Sequence, residues 1–229
     1  MNGIMGNVKP FLEFKDVSKI YPTGVRALEG VNLALGEGEF VFLFGPSGAG
    51  KTTLLKLINR EERPTRGEVW LSGCRISHLE ERYVPLLRQN LGMIFQDLHL
   101  VPEWTVLENL LVPLEVLQVK RNKAFRMAKE MLRFLRLEKK GLHRVEWLSG
   151  GERQKLSLGR ALIHQPGLVL ADEPTKNLDE ESAQEVVGIL FEFVQKTKAT
   201  VILATHDQEL LQVFGGRVVR LERGKVSAS

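Results

Sequence analysis

The sequence holds one cysteine, Cys74, in 229 residues, so no disulfide can form within the chain. A lone thiol suits a reducing compartment, and Cys74 reads as a small, partly buried residue. No apolar run approaches the ~18 residues that a helix needs to cross a bilayer. The opening stretch, Met1-Asn2-Gly3-Ile4-Met5-Gly6, has no basic segment leading into an apolar one, and Gly3 does not directly follow Met1. Neither a secretory leader nor an N-myristoylation pattern is therefore expected. Internal repeats, low-complexity tracts and long linkers are also lacking. That argues against repeat architectures and tethered modules.

Apolar residues make up 43% of the chain and charged residues 26%, the balance of a globular chain and not of a disordered one. At this length roughly 70–75% of the unfolded surface can be buried, in one large domain or a core with inserted subdomains. The formal net charge is +4. Such an excess fits a nucleic acid, an anionic membrane surface or an ordinary solvated exterior.

One stretch organises the rest. Gly45-Pro46-Ser47-Gly48-Ala49-Gly50-Lys51-Thr52 follows the apolar run Phe40–Phe44 and precedes Thr53-Leu54-Leu55-Lys56-Leu57-Ile58. Strand, glycine-rich loop and helix form the context in which this spacing binds a nucleoside triphosphate. Glycines let backbone amides turn inward toward phosphate, and the helix start adds its positive end. Lys51 would reach the β- and γ-phosphates, and the Thr52 hydroxyl would meet Mg²⁺.

Around it, residues 11–17 alternate as a half-buried strand, and 31–35 and 68–71 read as further strands of an antiparallel, hairpin-like group. Thr105 is an N-cap for a helix to about Leu111. Residues 123–137 have helical spacing with a basic outer face: Lys120, Arg121, Lys123, Arg126, Lys129, Arg133 and Arg136. That face is either solvated or a contact for phosphates or lipid headgroups. Further helices are expected at about 150–162 and 180–196. The runs 91–95, 167–171 and 200–204 are short apolar strands, and the tail from Val218 reads as a hairpin. Strands buried on both faces and alternating with helices imply a parallel sheet covered on both sides, with ligand at its carboxyl ends. The fold class is α/β: a P-loop NTPase core, an antiparallel β-subdomain and a helical subdomain.

The polar ends of those strands converge on phosphate chemistry. Asp172, rigid at the end of an apolar strand, suits a second Mg²⁺ contact beside Thr52. Glu173, expected on the opposite face from Asp172 by strand alternation, suits the polarising of a water in line with the γ-phosphate. His206 ends the third such strand.

Leu148-Ser149-Gly150-Gly151-Glu152-Arg153-Gln154 resembles the signature motif of the ATP-binding-cassette (ABC) ATPases, at that family's spacing before Asp172-Glu173. The likeness spans nearly the whole chain. Gln96 matches the Q-loop glutamine, Asn177-Leu178-Asp179 the D-loop, His206 the switch histidine and Tyr21 the ring stacked on adenine. It implies a single nucleotide-binding domain over 1–229, with a helical subdomain at about 97–155. It implies an ATP hydrolase using Mg²⁺, held by Thr52, Gln96 and Asp172, with Glu173, His206 and Gln96 in catalysis. It also implies a homodimer that closes head to tail on ATP. The nucleotide would then lie between residues 45–53 of one copy and Ser149, Gly150, Gly151, Glu152 and Asp179 of the other.

Residues 40–67, 84–88 and 105–109 are similar to the FtsE group of bacterial cell-division ATPases. That likeness implies an FtsX-like integral membrane partner, a peripheral position on the cytoplasmic face and no direct nucleic-acid contact. A LolD- or MacB-type transporter ATPase stays open as an alternative, as does a nucleic-acid-associated cassette. Lys176 departs from the glycine usual before Asn-Leu-Asp and is expected near the dimer interface. Leu98-His99-Leu100 departs from a more aromatic run.

Overall fold

The computed structural model describes residues 9–227; Met1–Gly6, where no leader is expected, lies outside them. β1 (Leu12–Ile20) and β2 (Arg26–Leu35) form an antiparallel hairpin. Both run further than the simple alternation indicates. Asp16 takes φ 49° and shifts the register, so Phe14 and Val17, three apart, both face the core. A bulge of this kind hides half a strand from a period-two reading. Next come β3 (Phe40–Phe44), the glycine-rich loop and α1 (Lys51–Ile58). β4 (Arg66–Leu71) and β5 (Cys74–Arg75) complete a four-stranded sheet in the order β2-β1-β4-β5. Cys74 is exposed, contrary to expectation, because β5 is a two-residue edge strand with both side chains outward.

α2 (Val84–Gln89), with Pro85 in its first turn, leads into β6 (Leu91–Ile94). Six residues are too few to display a helical period, so this helix is not legible in the sequence. α3 (Val106–Val116), α4 (Arg121–Phe134) and α5 (Gly150–Leu162) follow. α3 runs past its expected end near Leu111 and through Pro113, and the complete burial of Leu114 supports that extra turn. The Thr105 hydroxyl accepts the Glu108 amide at 3.1 Å, and the Glu108 carboxylate accepts the Thr105 amide at 2.7 Å. This reciprocal cap fixes the helix start.

Asn109, fully buried on α3, accepts the Val101 amide at 2.9 Å and donates to the Val101 and Thr105 carbonyls at 3.1 and 3.0 Å. Asn109→Leu would leave the Val101 amide and carbonyl without these partners, a cost of about 2 kcal/mol. A lower denaturant midpoint at unchanged m-value is the expected reading.

β7 (Leu168–Asp172), α6 (Glu180–Thr197), β8 (Thr200–Thr205), α7 (Gln208–Phe214), β9 (Arg217–Glu222) and β10 (Lys225–Ser227) complete the second sheet. Its order is β10-β9-β3-β8-β7-β6. β6, β7, β8, β3 and β9 pair in parallel, and β10 joins β9 antiparallel. Successive residues of one strand enter different cores. Phe42, Ala171 and Leu203 pack with α3–α6. Leu43, Leu170 and Ile202 pack with α1 and the four-stranded sheet. That double burial is why these strands read as unbroken apolar runs. Among the described residues no helix is long and apolar enough to cross a membrane.

Candidate functional site

The loops after β3, β7 and β8 open into one cleft of about 470 Å³. Ser47, Gly48, Gly50, Lys51, Thr52 and Thr53 line it from the glycine-rich loop and α1. Gln96, Asp172, Glu173 and His206 line it from the strand ends, and Tyr21 from the β1–β2 turn. The Tyr21 hydroxyl and Thr53 Oγ1 are 3.2 Å apart, which holds the ring at the rim.

Gly45, Pro46 and Ala49 belong to the loop but do not line the cleft. Gly45 is fixed by packing: a Cβ there would sit 2.1 Å from the Leu221 carbonyl oxygen. Gly50, at φ 109°, would bring a Cβ within 2.4 Å of the Ala27 oxygen. It is the N-cap of α1 and offers no side-chain cap, which leaves the first helical amides to other acceptors.

A chain of charges crosses the cleft. The buried Lys51 ammonium donates to the Gly45 and Pro46 carbonyls at 2.7 and 3.2 Å and lies 3.1 Å from Glu173 Oε1. The other oxygen of Glu173 is 2.8 Å from His206 Nδ1. Strand alternation predicts Glu173 on the face opposite Asp172; instead both carboxyls line the same cleft. Glu173 lies just beyond β7 at φ 48°, and that left-handed residue breaks the alternation.

Burial pushes the Asp172 carboxyl above the usual aspartate range, against the hydrogen bond from the Thr52 hydroxyl; the nearby Glu173 charge raises it further and Lys51 lowers it. Asp172 Oδ1 is buried and has no hydrogen-bond partner. An orphaned hard oxygen beside a hydroxyl is the donor set Mg²⁺ accepts alongside substrate phosphates. Among the described residues no cluster of three or more His, Cys, Asp or Glu could cage a metal alone.

A second group stands apart, outside that cleft. Ser149 is the N-cap of α5: its hydroxyl accepts the Glu152 amide at 3.2 Å, and the Glu152 carboxylate accepts the Ser149 amide at 3.0 Å. Glu152 also ion-pairs with Lys140. Gly150 and Gly151 begin the helix, and a Cβ on Gly151 would lie 3.3 Å from the Ser182 hydroxyl. Asp179 caps α6 and accepts the Ser182 amide at 2.9 Å and its hydroxyl at 2.8 Å. These bonds hold the Asp179 carboxyl below its ordinary range.

Residues 28–176 match the family model described as ABC transporter. The chain belongs to the ABC transporter family. As an ABC ATPase it binds and hydrolyses ATP. It is 39% identical over 213 residues to the cell division ATP-binding protein FtsE of Bacillus subtilis, covering 93% of each chain. Its identity to the Escherichia coli K12 protein of that name is 41% over 213 residues, covering 93% of this chain and 96% of the other. A dimeric ATP-binding cassette solved in a post-hydrolysis state with ADP and Pi superposes at TM-score 0.84 and 34% identity, over 95% of this chain and 97% of the other. The cassette CbiO1 of Clostridium perfringens aligns at TM-score 0.89 over 96% of this chain and 88% of its own, at 23% identity, a likeness of fold.

Two features of this ABC ATPase escape sequence reasoning. Lys176, expected near the dimer interface, lines the nucleotide cleft beside Glu173 and His206, a placement its sequence position did not indicate. Its amide donates to the Glu173 carbonyl at 3.1 Å, a turn that carries it back over the site. Arg26 and Ala27 line the rim as well; their only signal is their place just after Tyr21.

Proposed function

We propose that the chain is the ATPase subunit of a membrane complex in cell division, working as a homodimer that closes head to tail on ATP. The observation that supports this most is the partition of the motif residues. Ser47, Gly48, residues 50–53, Gln96, Asp172, Glu173 and His206 share a cleft, whereas Ser149–Glu152 and Asp179 cap or begin two other helices outside it. The exposed Ser149 turn, with the start of a 13-residue helix behind it, is built to receive an anion. A second copy would bring that turn over the phosphates held by the first. The likeness to cassettes solved as dimers agrees with this.

Within the cleft, Lys51 would exchange its Glu173 partner for the β- and γ-phosphates, and the loop amides would take the remaining oxygens. Glu173, released, would accept the proton of the attacking water, with His206 orienting the carboxylate and the γ-phosphate. Thr52 and Asp172, with Gln96 beside them, would hold Mg²⁺. The ion, when bound, neutralises charge on the phosphates. Opening after hydrolysis would move the segment after Gln96 and the helical subdomain at about 97–155 outward to the partner. That partner would be an FtsX-like integral membrane protein, with this chain peripheral on the cytoplasmic face. The test is detergent co-purification with the membrane protein encoded beside it. Recovery of an FtsX-like protein supports the reading, and recovery of a lipoprotein-release or efflux permease replaces it with the transporter alternative.

Lys176 adds a cation to a site that must hold a polyphosphate. Removing one exposed charge is worth about 1 kcal/mol, so Lys176→Gly is expected to weaken ATP binding about fivefold. Titration calorimetry would show the difference shrinking as salt rises.

A further inference from the structure

We propose that the outer face of α4 and the loop after it form a docking surface for an anionic lipid bilayer. Between Lys120 and Arg144 there are ten Lys or Arg residues against two acids, Glu130 and Glu138, in a chain whose net charge is only +4. The positive charge is therefore concentrated in one region while the remainder of the molecule is net acidic. α4 buries Ala124, Ala128 and Leu132, which turns Lys123, Arg126, Lys129 and Arg133 outward. Few of these cations are neutralised. Arg136 reaches Glu185 only at 3.9 Å, Arg144 lies 3.6 Å from Glu146, and Lys140 pairs with Glu152.

The charges surround an apolar feature. Lys129, Arg133 and Lys139 rim a groove of about 650 Å³ that holds Leu142, 79% exposed. Trp147, 66% exposed, stands against His143 at 6.3 Å between ring centroids. A basic rim around an exposed leucine, with tryptophan at its margin, matches the headgroup region of a membrane. There cations meet lipid phosphates while an aliphatic side chain enters the acyl boundary. A nucleic acid would satisfy the cations but would leave Leu142 without a partner. This inference does not depend on how the ATP cleft works, because none of these residues lines it.

Co-sedimentation of the full chain with vesicles of mixed phosphatidylglycerol and phosphatidylcholine, against pure phosphatidylcholine, tests it. Binding only to the anionic vesicles, weakened by salt, is expected. Lys129→Glu combined with Arg133→Glu should lower that binding at least about tenfold. Leu142→Ser should weaken it while keeping the salt dependence. Both variants should keep the parent's ATPase rate in solution, which shows that they fold. Absence of vesicle binding, equal binding to both vesicle types, or undiminished binding by the double charge reversal would overturn the proposal. Preferential capture of duplex DNA over the vesicles would overturn it too and assign the face to nucleic acid.

Discussion

Glu173→Gln protein is expected to bind ATP at least as tightly as the parent and to turn it over roughly 10²–10⁴-fold more slowly, the usual worth of a positioned general base. The geometry accounts for both halves. Glu173 holds the Lys51 ammonium at 3.1 Å and His206 at 2.8 Å. An amide is a weaker partner for Lys51, so the lysine reaches phosphate with less competition. The same amide cannot take a proton from water. ATP-loaded variant should therefore accumulate in its closed state, visible as a doubling of mass by light scattering. Equilibrium binding and single-turnover hydrolysis separate the two effects. Turnover at the parent rate would remove Glu173 from the chemistry, and a large loss of ATP affinity would mean that its pairing with Lys51 organises the loop.

Asp172→Asn has a second large effect, with opposite signs on stability and on ligand binding. Burial raises the Asp172 pKa above that of a free aspartate. A carboxyl whose folded pKa is raised favours the fold fully at acid pH, and that contribution is lost as pH rises through the folded value. At neutral pH the charged side chain is therefore a cost that asparagine does not carry. Without ligand, the variant should melt higher than the parent at neutral pH, and the gap should narrow on acidification. With ATP and Mg²⁺ the order reverses. The amide is a poor ligand for a hard cation, so the metal-dependent part of ATP affinity should fall at least about tenfold, and with it the gain in melting temperature on adding ligand. Thermal scans across pH, with and without Mg²⁺ and ATP, give both signs in one experiment. A variant that melts lower without ligand and still gains fully from Mg²⁺ would contradict the burial argument and the metal assignment together.

Sequence made the two-sided parallel sheet legible because its strands are apolar without interruption, and they are so because alternate residues enter separate cores. Chain lengths misled where the backbone departs from its period. Asp16 at φ 49° conceals the rest of β1, and α3 continues through Pro113 beyond its expected end near Leu111. α2 and α7, six and seven residues long, carry too little pattern to be seen. In the site, spacing and strand ends pointed to the glycine-rich loop, Lys51, Thr52, Asp172 and Glu173, whereas Gln96, Ser149 to Glu152, Asp179 and the role of His206 came only from the family resemblance. Direction was harder. The alternation argument separated Glu173 from Asp172, and a single left-handed residue reunites them. The Lys51–Glu173–His206 chain joins three strand ends, and no spacing in sequence encodes it.

The central claim is that Ser149 of one copy completes the phosphate site of another. It is tested most directly by mixing two Glu173→Gln chains that lack Cys74, one carrying Ser47→Cys and the other Ser149→Cys, and adding a short bifunctional thiol reagent. The account predicts a cross-linked heterodimer that forms with ATP and not without it. If both chains bind ATP and no heterodimer forms, or if Ser149→Cys chains link only to each other, the shared site does not exist.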